Sequence, residues 1–235
     1  MKKAAFYTLG CKVNQYETEA MAELFADSGY EIKEFTEVAD VYVINTCSVT
    51  NMGDRKSRQI IRRAKKLNPN AVIAVTGCYA QTAPDEVLAI EGVNLVLGTK
   101  DRKNIVTLVE ELNTESNINH VSDIMSNHEF EELQIKQYSN RTRAFIKIQE
   151  GCNQFCSYCI IPYARGPVRS RAKDDVVREI KELAHNGFKE IILVGIHVAS
   201  YGVDLGDTTL ESLIMDVDKI DGVERIRLSS IEPMT

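Results

Sequence analysis

The stretch DVYVINT, residues 40–46, is a run of Val, Ile and Tyr with the length of one buried strand. Similar runs flank it, namely AAFYTLG at 4–10, AVIAVTG at 71–77 and NLVLG at 94–98. Amphipathic stretches of helical length separate them, QYETEAMAELFADSG at 15–29 and MGDRKSRQIIRRAKKLNP at 52–69. Strands that alternate with helices predict βαβ units and a parallel sheet. We therefore expect an open α/β domain over residues 1–112.

A second alternating series occupies residues 141–235. Its predicted strands are RAFIKIQ at 143–149, EIILVGIH at 190–197 and ERIRLSS at 224–230. Its predicted helices are DDVVREIKELAHNG at 174–187, with Asp174 as the expected cap and Gly187 as the stop, and TLESLIMDVDKI at 209–220. A regular (β/α) barrel has eight strands. The pattern therefore predicts a partial barrel, and we expect the chain to be a fragment of a longer protein.

Residues 113–140 join the two series. They contain five Asn and four Ser without clear periodicity, which predicts a linker. The predicted fold class is α/β, with an open parallel-sheet domain followed by a linker and a partial (β/α) barrel.

The composition limits the compartment and the partners. With 44% apolar and 26% charged residues, the 235-residue chain is typical of soluble globular proteins. No stretch approaches the roughly 20 apolar residues of a membrane span, and the N-terminus does not resemble a signal peptide. We expect a cytoplasmic protein, in which clustered cysteines bind metals more often than they form disulfides. The net charge of −6 argues against uniform nucleic-acid affinity but allows a local basic face.

Three of the six cysteines are close together in GCNQFCSYC, residues 151–159. Cys152, Cys156 and Cys159 have the spacing CxxxCxxC on the loop after the first strand of the second series. Iron–sulfur clusters take cysteine ligands, normally four for a cubane, so three leave one iron open to another ligand. Zinc is the alternative, but a structural zinc site takes four protein ligands, and the next histidine, His185, lies 26 residues after Cys159, at the far end of a predicted helix.

The other three cysteines are isolated in the sequence. Cys11, Cys47 and Cys78 each follow a predicted strand, in TLGC, INTC and VTGC. The carboxyl ends of parallel strands meet at one edge of a sheet, where ligands bind. The topology therefore predicts that these thiols converge on a second site, and the alternative is three unrelated buried cysteines.

The segment GCNQFCSYCIIPYARG, residues 151–166, resembles the signature of radical S-adenosylmethionine (SAM) enzymes, and in particular of the methylthiotransferases. The resemblance implies a [4Fe-4S] cluster on Cys152, Cys156 and Cys159 whose open iron binds SAM. It also implies a second [4Fe-4S] cluster, held by Cys11, Cys47 and Cys78, that presents sulfur to the substrate radical. Tyr158 matches an aromatic position near the adenine of SAM, although it also suits a core aromatic.

The resemblance extends to the substrate. TLGCKVNQYETEAM, residues 8–21, resembles the branch that acts at C2 of N6-threonylcarbamoyladenosine beside the tRNA anticodon. It implies substrate contacts at Lys12 and Asn14 and an electron donor such as a flavodoxin or ferredoxin. The alternatives are a methylthiotransferase for isopentenyladenosine or for a ribosomal protein side chain. A non-catalytic, metal-structured or electron-transfer module is the alternative of another class.

Two basic segments and two strand ends complete the candidate site. RKSRQIIRRAKK, residues 55–66, has seven Lys or Arg in twelve residues and suits either a solvated helix face or tRNA phosphates. YARGPVRSR, residues 163–171, contributes the predicted substrate or SAM contacts Arg165, Arg169 and Arg171. LVGIHVASYG and RLSSIEP resemble the family's later strand motifs. They imply a SAM pocket lined by Gly195, Ser229, Ser230 and Glu232, whereas His197 is expected to be structural.

Overall fold

The computed structural model describes residues 1–48, 51–112, 115–133, 135 and 143–231. The first sheet of the described chain has six strands: β1 (Lys3–Thr8), β2 (Glu31–Lys33), β3 (Val41–Thr46), β4 (Val72–Gly77), β5 (Leu95–Leu97) and β6 (Ile118–His120). Their order across the sheet is β2-β1-β3-β4-β5-β6, and each pairing is parallel. The predicted α/β class with a parallel sheet is confirmed.

The helices of this part alternate with the strands. They are α1 (Lys12–Asp27), α2 (Asn51–Leu67), α3 (Cys78–Thr82), α4 (Pro84–Leu88) and α5 (Ile105–Glu110), with 3-10 turns at Arg102–Asn104 and Ile124–Ser126. All six residues of β3 are buried, because the sheet is covered on both faces. A central strand of a parallel sheet has this continuous apolar character, which makes DVYVINT recognisable in the sequence.

The predicted linker, residues 113–140, is partly structured, and this corrects the expectation. Strand β6 lies within it and pairs with β5 through Leu95 and Ile118. All three residues of β6 are exposed, so the strand carries no apolar alternation by which the sequence could reveal it. The first sheet therefore extends past residue 112.

A second, three-stranded parallel sheet follows, made of β7 (Arg143–Lys147), β10 (Glu190–Val194) and β11 (Arg225–Leu228). The strands β8 (Gln149–Glu150) and β9 (Arg169–Ser170) form a separate, short antiparallel pair. The helices are α6 (Ile161–Arg165), α7 (Lys173–His185) and α8 (Leu210–Asp218), with a 3-10 turn at Val198–Ser200. The sheet order is β11-β10-β7, with α7 between β7 and β10 and α8 between β10 and β11 in the chain. This succession is the predicted partial (β/α) barrel.

The expected cap of α7 is wrong. The residue that precedes the helix is Ala172, and its side chain forms no capping hydrogen bond. Asp174 lies inside the first turn, where its charge favours the helix dipole instead. Helix α8, in contrast, begins with a capping box between Thr209 and Ser212.

Helix α1 packs against both sheets. Met21 and Phe25 belong to the apolar core beside the first sheet, which includes Val43. Val13 and Tyr16 belong to the core of the second sheet. The Tyr16 hydroxyl also donates a hydrogen bond to the Leu133 carbonyl. One helix therefore connects the two parts of the fold, and its first turn lies between them.

None of the described helices combines the length and the apolar character that crossing a membrane requires.

Candidate metal centre

Three cysteines lie at the carboxyl ends of three neighbouring strands of the first sheet. Cys11 follows β1, Cys47 follows β3 and Cys78 follows β4, and β3 lies between the other two strands. A Cβ added to Gly10 would lie 3.1 Å from the Cys47 Sγ atom, which shows how closely the first two strand ends approach. Gly10 also has a φ of +108°, which L side chains rarely adopt. The structure thus brings the three separated thiols to one edge of the sheet.

Asn14 holds these strand ends together from the first turn of α1. Its Nδ2 atom donates to the Leu9 carbonyl at 2.8 Å and to the Thr46 carbonyl at 2.9 Å. Its Oδ1 atom lies 3.6 Å from the Cys11 Sγ atom and accepts a hydrogen bond from Arg165. Because this amide is buried and fully bonded, the geometry does not support the expected substrate contact through Asn14. It supports a structural role beside the thiols.

The other three cysteines occupy the loop between β8 and α6. The Cys152 amide donates to the Gly166 carbonyl at 3.0 Å, and the Cys159 amide donates to the Cys156 carbonyl at 2.9 Å. Cys156 is exposed, whereas Cys152 and Cys159 are half-buried. The backbone thus folds CxxxCxxC into a compact turn with its middle thiol at the surface.

Exposed aromatic side chains accompany this loop. Tyr158 is 91% exposed, which excludes the alternative of a core aromatic. Phe155 has a φ of +46° and makes an edge-to-face contact with Tyr163, with ring centroids 6.0 Å apart. An exposed aromatic ring suits stacking against a planar ligand, so the contact of Tyr158 with adenine stays a prediction that this exposure permits.

Arg165 reaches the first thiol set from the helix that follows the second set. It ends α6, directly after the CxxxCxxC loop, and its side chain is completely buried. Its Nε atom donates to the Cys78 Sγ atom at 3.3 Å, and its Nη1 atom lies 2.6 Å from carboxylate oxygens of both Glu17 and Glu150. One guanidinium group therefore contacts a thiol of the first set, and it belongs to the helix that follows the loop of the second set.

A buried network of ion pairs surrounds Arg165. Glu17 on α1 also lies 2.6 Å from Arg102 and 3.1 Å from Lys147. Glu150 lies 3.1 Å from Lys147, 3.4 Å from Arg102 and 3.6 Å from Arg169. The network thus joins α1 and the 3-10 turn at Arg102–Asn104, which belong to the first part of the fold, to β7, β8 and α6 of the second part.

The pKa values of this network follow from burial and charge. Burial raises the pKa of Glu17, but the neighbouring cations Arg102, Arg165 and Lys147 outweigh it and lower that pKa to about 2. The pKa of Glu150 is likewise held well below its ordinary value, because the same cations outweigh its burial. Both carboxylates are therefore ionised at neutral pH. Burial raises the pKa of the Cys78 thiol, and Arg165 opposes this by favouring the thiolate.

The three arginines of YARGPVRSR, which the sequence predicts as substrate or SAM contacts, are buried. Arg165, Arg169 and Arg171 are each at most 1% exposed. Arg169 donates to the Arg165 carbonyl at 2.9 Å, and Arg171 pairs with Glu179 on α7. A buried, paired guanidinium presents no free surface to a phosphate, so these side chains organise the interior here. Of the five predicted substrate contacts, Lys12 is exposed, and its contact stays a prediction.

The predicted SAM-side residues lie at the carboxyl ends of β10 and β11. Gly195 is buried against Gln149, whose Oε1 atom accepts a hydrogen bond from the His197 amide at 2.8 Å. Ser230 has a φ of +59°, and its carbonyl accepts from the Val198 amide at 3.2 Å. The buried Ser229 hydroxyl has no hydrogen-bond partner within the described residues. Glu232 lies outside the described residues.

His197 is structural, as the sequence predicts. It is 3% exposed, and its Nδ1 atom shares a hydrogen bond with the Ser200 hydroxyl. Its ring is therefore occupied within the turn that follows β10.

The donor atoms of both sites are thiol sulfurs, which iron–sulfur clusters and zinc both bind. All six cysteines are free thiols. Among the described residues, no three His, Cys, Asp or Glu side chains stand in an arrangement that could hold a metal ion. Hydrogen bonds to the ligand sulfur are typical of iron–sulfur clusters, and Arg165 makes one to Cys78.

Comparison with known families divides the chain into two matched regions. Residues 3–98 match the "Uncharacterized protein family UPF0004", and residues 146–235 match the "Radical SAM superfamily". The chain thus combines a UPF0004 domain with a radical SAM domain. Membership of that superfamily implies SAM and one [4Fe-4S] cluster as cofactors.

Individual relatives identify the branch of the radical SAM superfamily to which the chain belongs. "Threonylcarbamoyladenosine tRNA methylthiotransferase MtaB" of Bacillus subtilis (strain 168) is 53% identical over 99% of this chain and 52% of its own length. The protein of the same name from Aquifex aeolicus (strain VF5) is 44% identical, over 97% of this chain and 56% of its own length. The chain belongs to the radical SAM methylthiotransferases, where its sequence matches the MtaB branch. It spans about half the length of these curated relatives.

A less similar relative and a solved structure also match the chain. The "tRNA-2-methylthio-N(6)-dimethylallyladenosine synthase" of Sulfurihydrogenibium sp. (strain YO3AOP1) is 37% identical over 96% of this chain and 53% of its own length. A solved structure of the radical SAM methyltransferase TsrM from Kitasatospora setae is similar with a TM-score of 0.56 at 15% identity. The similarity covers 92% of this chain and 51% of that one. This structural similarity shows the shared fold.

Sequence reasoning missed the buried ion-pair network. Its members are charged residues at positions that local patterns assign to the core. Glu17 lies on the face of α1 that also carries Val13 and Ala20, and Lys147 and Glu150 interrupt or follow the apolar run of β7. A charge on an apolar face is the signal that predicts a buried pair, but its partner lies far away in the sequence.

Proposed function

We propose that the chain carries both cluster sites of a radical SAM methylthiotransferase that acts on tRNA. The observation that carries the proposal is that Arg165, at the end of the helix that follows the CxxxCxxC loop, places its Nε atom 3.3 Å from the Cys78 Sγ atom. Hydrogen removal and sulfur insertion at one substrate atom require that the two sites lie close together. A buried side chain that extends from the helix after one cysteine loop to a thiol of the other set supports such proximity.

The proposal assigns one [4Fe-4S] cluster to Cys152, Cys156 and Cys159, and a second to Cys11, Cys47 and Cys78. When bound, the clusters and SAM would supply the radical that removes a substrate hydrogen and the sulfur that replaces it. The chain's own residues bind and orient these groups. Asn14 and Arg165 position the first thiol set, and the exposed ring of Tyr158 offers a stacking surface beside the second.

For the substrate, we propose C2 of N6-threonylcarbamoyladenosine beside the tRNA anticodon. The names of the MtaB relatives support this nucleoside, at 53% and 44% identity. The 37% identical relative, named for dimethylallyladenosine, makes that nucleoside the second candidate. Incubation of the reconstituted chain with anticodon stem-loops that carry either nucleoside, followed by mass spectrometry, distinguishes the two.

Iron analysis tests the two cluster sites directly. After anaerobic reconstitution we expect about eight irons per chain, and about four in a variant with Cys11, Cys47 and Cys78 changed to Ala. The matched variant with Cys152, Cys156 and Cys159 changed to Ala should also retain about four irons. It should lose the cleavage of SAM to 5′-deoxyadenosine, whereas the first variant keeps it.

The opposite outcome favours the alternative class of function. About one zinc per chain, little iron and no response to dithionite would contradict the proposal and indicate a metal-structured binding module. Iron in both sites without SAM cleavage would indicate an electron-transfer module instead.

Helix α2 supports a nucleic-acid partner. Arg55, Arg62, Arg63 and Lys66 are exposed on it, and with Arg58 and Gln59 they line a surface groove of about 510 Å³. Arg58 is the exception, since it also donates to the Tyr79 hydroxyl at 2.9 Å. Because the overall charge is −6, this basic face is a local feature that suits RNA phosphates.

Neutralising that face should weaken RNA binding without affecting the clusters. For the double variant Arg62→Ala/Arg63→Ala we expect a weaker affinity for an anticodon stem-loop. The slope of log affinity against log salt should decrease by about 1.5, because two phosphate contacts are lost. Binding titrations at several salt concentrations measure this. Lys181→Ala/Lys219→Ala, which removes two exposed charges elsewhere, is the control, and an equal effect of that pair would contradict the assignment.

The proposal includes a reducing environment and an electron donor. Six free thiols suit the cytoplasm, where cysteines stay reduced. A flavodoxin or ferredoxin would supply the electron, and replacement of dithionite by either protein in the SAM cleavage assay tests this.

A further inference from the structure

The sequence predicts a substrate or SAM contact for Arg165, but partners of its side chain lie at the first thiol set. Its guanidinium reaches out of the second part of the fold into the first thiol set, where Nε donates to the Cys78 Sγ atom at 3.3 Å. Its Nη2 atom donates to Asn14, which in turn contacts Cys11. Two of the three thiols of the first set are therefore bonded to Arg165 directly or through one amide.

The charges around Arg165 leave a positive excess at this point. Within the described residues, the buried network pairs the three carboxylates of Glu17, Glu131 and Glu150 with four cations, namely Arg102, Lys147, Arg165 and Arg169. Buried charges are stable only when they are compensated. An anion in contact with the network restores the balance, and the Cys78 sulfur is the group that Arg165 touches.

The remaining cations can hold the carboxylates without Arg165. Glu17 keeps Arg102 at 2.6 Å and Lys147 at 3.1 Å, and Glu150 keeps Lys147 at 3.1 Å. The distinctive contact of Arg165 within the network is therefore the one to sulfur. Arg102 also pairs with Glu17 and Glu150 and is equally buried. Within the described residues, however, its ion pairs involve carboxylates and no sulfur.

We propose that Arg165 is a positioning residue of the first cluster site, which donates an N–H···S hydrogen bond to Cys78 and raises the reduction potential of the cluster held there. Hydrogen bonds to ligand sulfur stabilise the reduced, more negative cluster and so raise its potential. The inference rests on the proposed cluster at Cys11, Cys47 and Cys78. It adds a device by which the radical SAM part of the chain controls a cluster of the UPF0004 part.

The test is a redox titration of the reconstituted chain, followed by electron paramagnetic resonance. The variant with Cys152, Cys156 and Cys159 changed to Ala identifies the signal of the first cluster. For Arg165→Met we expect about a tenfold lower ratio of reduced to oxidised first cluster at a fixed potential, which is about 59 mV for a one-electron couple. Arg165→Lys, which keeps a buried cation, should restore part of the shift.

Arg102→Met is the matched control, because it removes a buried cation from the same carboxylates without removing a bond to sulfur. A much smaller shift in this variant supports the inference, and an equal shift overturns it in favour of general charge. An unchanged potential in Arg165→Met with full iron content also overturns it. If Arg165→Met loses the first cluster while the second stays loaded, this selective loss supports a role of Arg165 at the first cluster site. The reduction potential is then measured in Arg165→Lys instead.

The same titration separates this inference from the proposed function. A parent chain that loads no iron on Cys11, Cys47 and Cys78 contradicts the cluster itself, and with it both proposals. A parent chain that loads both clusters, with a potential that is insensitive to Arg165, contradicts only the inference.

Discussion

Replacement of Glu17 by alanine is expected to lower the free energy of unfolding by about 3–5 kcal/mol, because it leaves buried cations without their carboxylate. Glu17 is completely buried and lies within 3.1 Å of Arg102, Lys147 and Arg165. Such a loss is a large share of the 5–15 kcal/mol by which a domain is typically stable. Denaturation with urea, followed by circular dichroism, measures it.

A carboxylate that pairs with exposed arginines provides the control. Glu190 pairs with Arg225 and Arg227 at 3.3 and 3.1 Å, but both arginine side chains are more than half exposed. Solvent screens these pairs, so Glu190→Ala should shift the urea midpoint far less than Glu17→Ala. Equal shifts in the two variants would contradict the importance of the buried network.

The pH dependence of stability should carry the same signature. The pKa of Glu17 is about 2 in the folded chain, below its ordinary value of about 4.3 in an unfolded one. Its stabilising contribution is therefore complete above about pH 5 and is lost as the pH falls towards 2. Glu17→Gln should have a shallower loss of stability over this window, and a slope identical to that of the parent chain would speak against the low pKa.

Gly151→Ala is expected to abolish iron binding at the CxxxCxxC loop and to leave the first thiol set loaded. Gly151 has a φ of +76°, and a Cβ at this position would lie 1.8 Å from the Pro167 carbonyl oxygen and 2.6 Å from that of Gly166. Both obstacles are backbone atoms, so the strand pair that supports Cys152 must move. Reconstituted iron should fall from about eight to about four per chain.

A second glycine separates this steric effect from backbone strain alone. Gly187 has a φ of +90°, and a Cβ there would meet no atom within 4 Å. Gly187→Ala should cost about 1–2 kcal/mol of stability from the left-handed conformation and keep its iron. Full iron content in Gly151→Ala would show that the loop tolerates displacement and would refute the prediction.

The sequence predicts those parts of the fold that depend on local patterns. The strands around DVYVINT are visible because each is a short apolar run between helical periods. The convergence of Cys11, Cys47 and Cys78 follows from one topological rule, and the neighbouring positions of β1, β3 and β4 satisfy it.

The parts that were missed depend on contacts between distant residues. The sequence gives no indication that Arg165 points to Cys78 instead of a substrate, because a basic residue beside a cluster loop suits both. Strand β6 has three exposed residues and is recognised only through its partner β5. The sequence places the start of α7 incorrectly because Asp174 is a good capping residue, yet it is the second residue of the helix.

The double packing of α1 has a consequence for the order in which the protein is made. Synthesis proceeds from the N-terminus, so the first sheet and α1 leave the ribosome before β7 and β10 exist. Until then, the face of α1 with Val13, Tyr16 and Glu17 has neither its apolar neighbours nor the cations Lys147 and Arg165. This face of α1 therefore stays uncovered in the nascent chain until β7, α6 and β10 have all been translated.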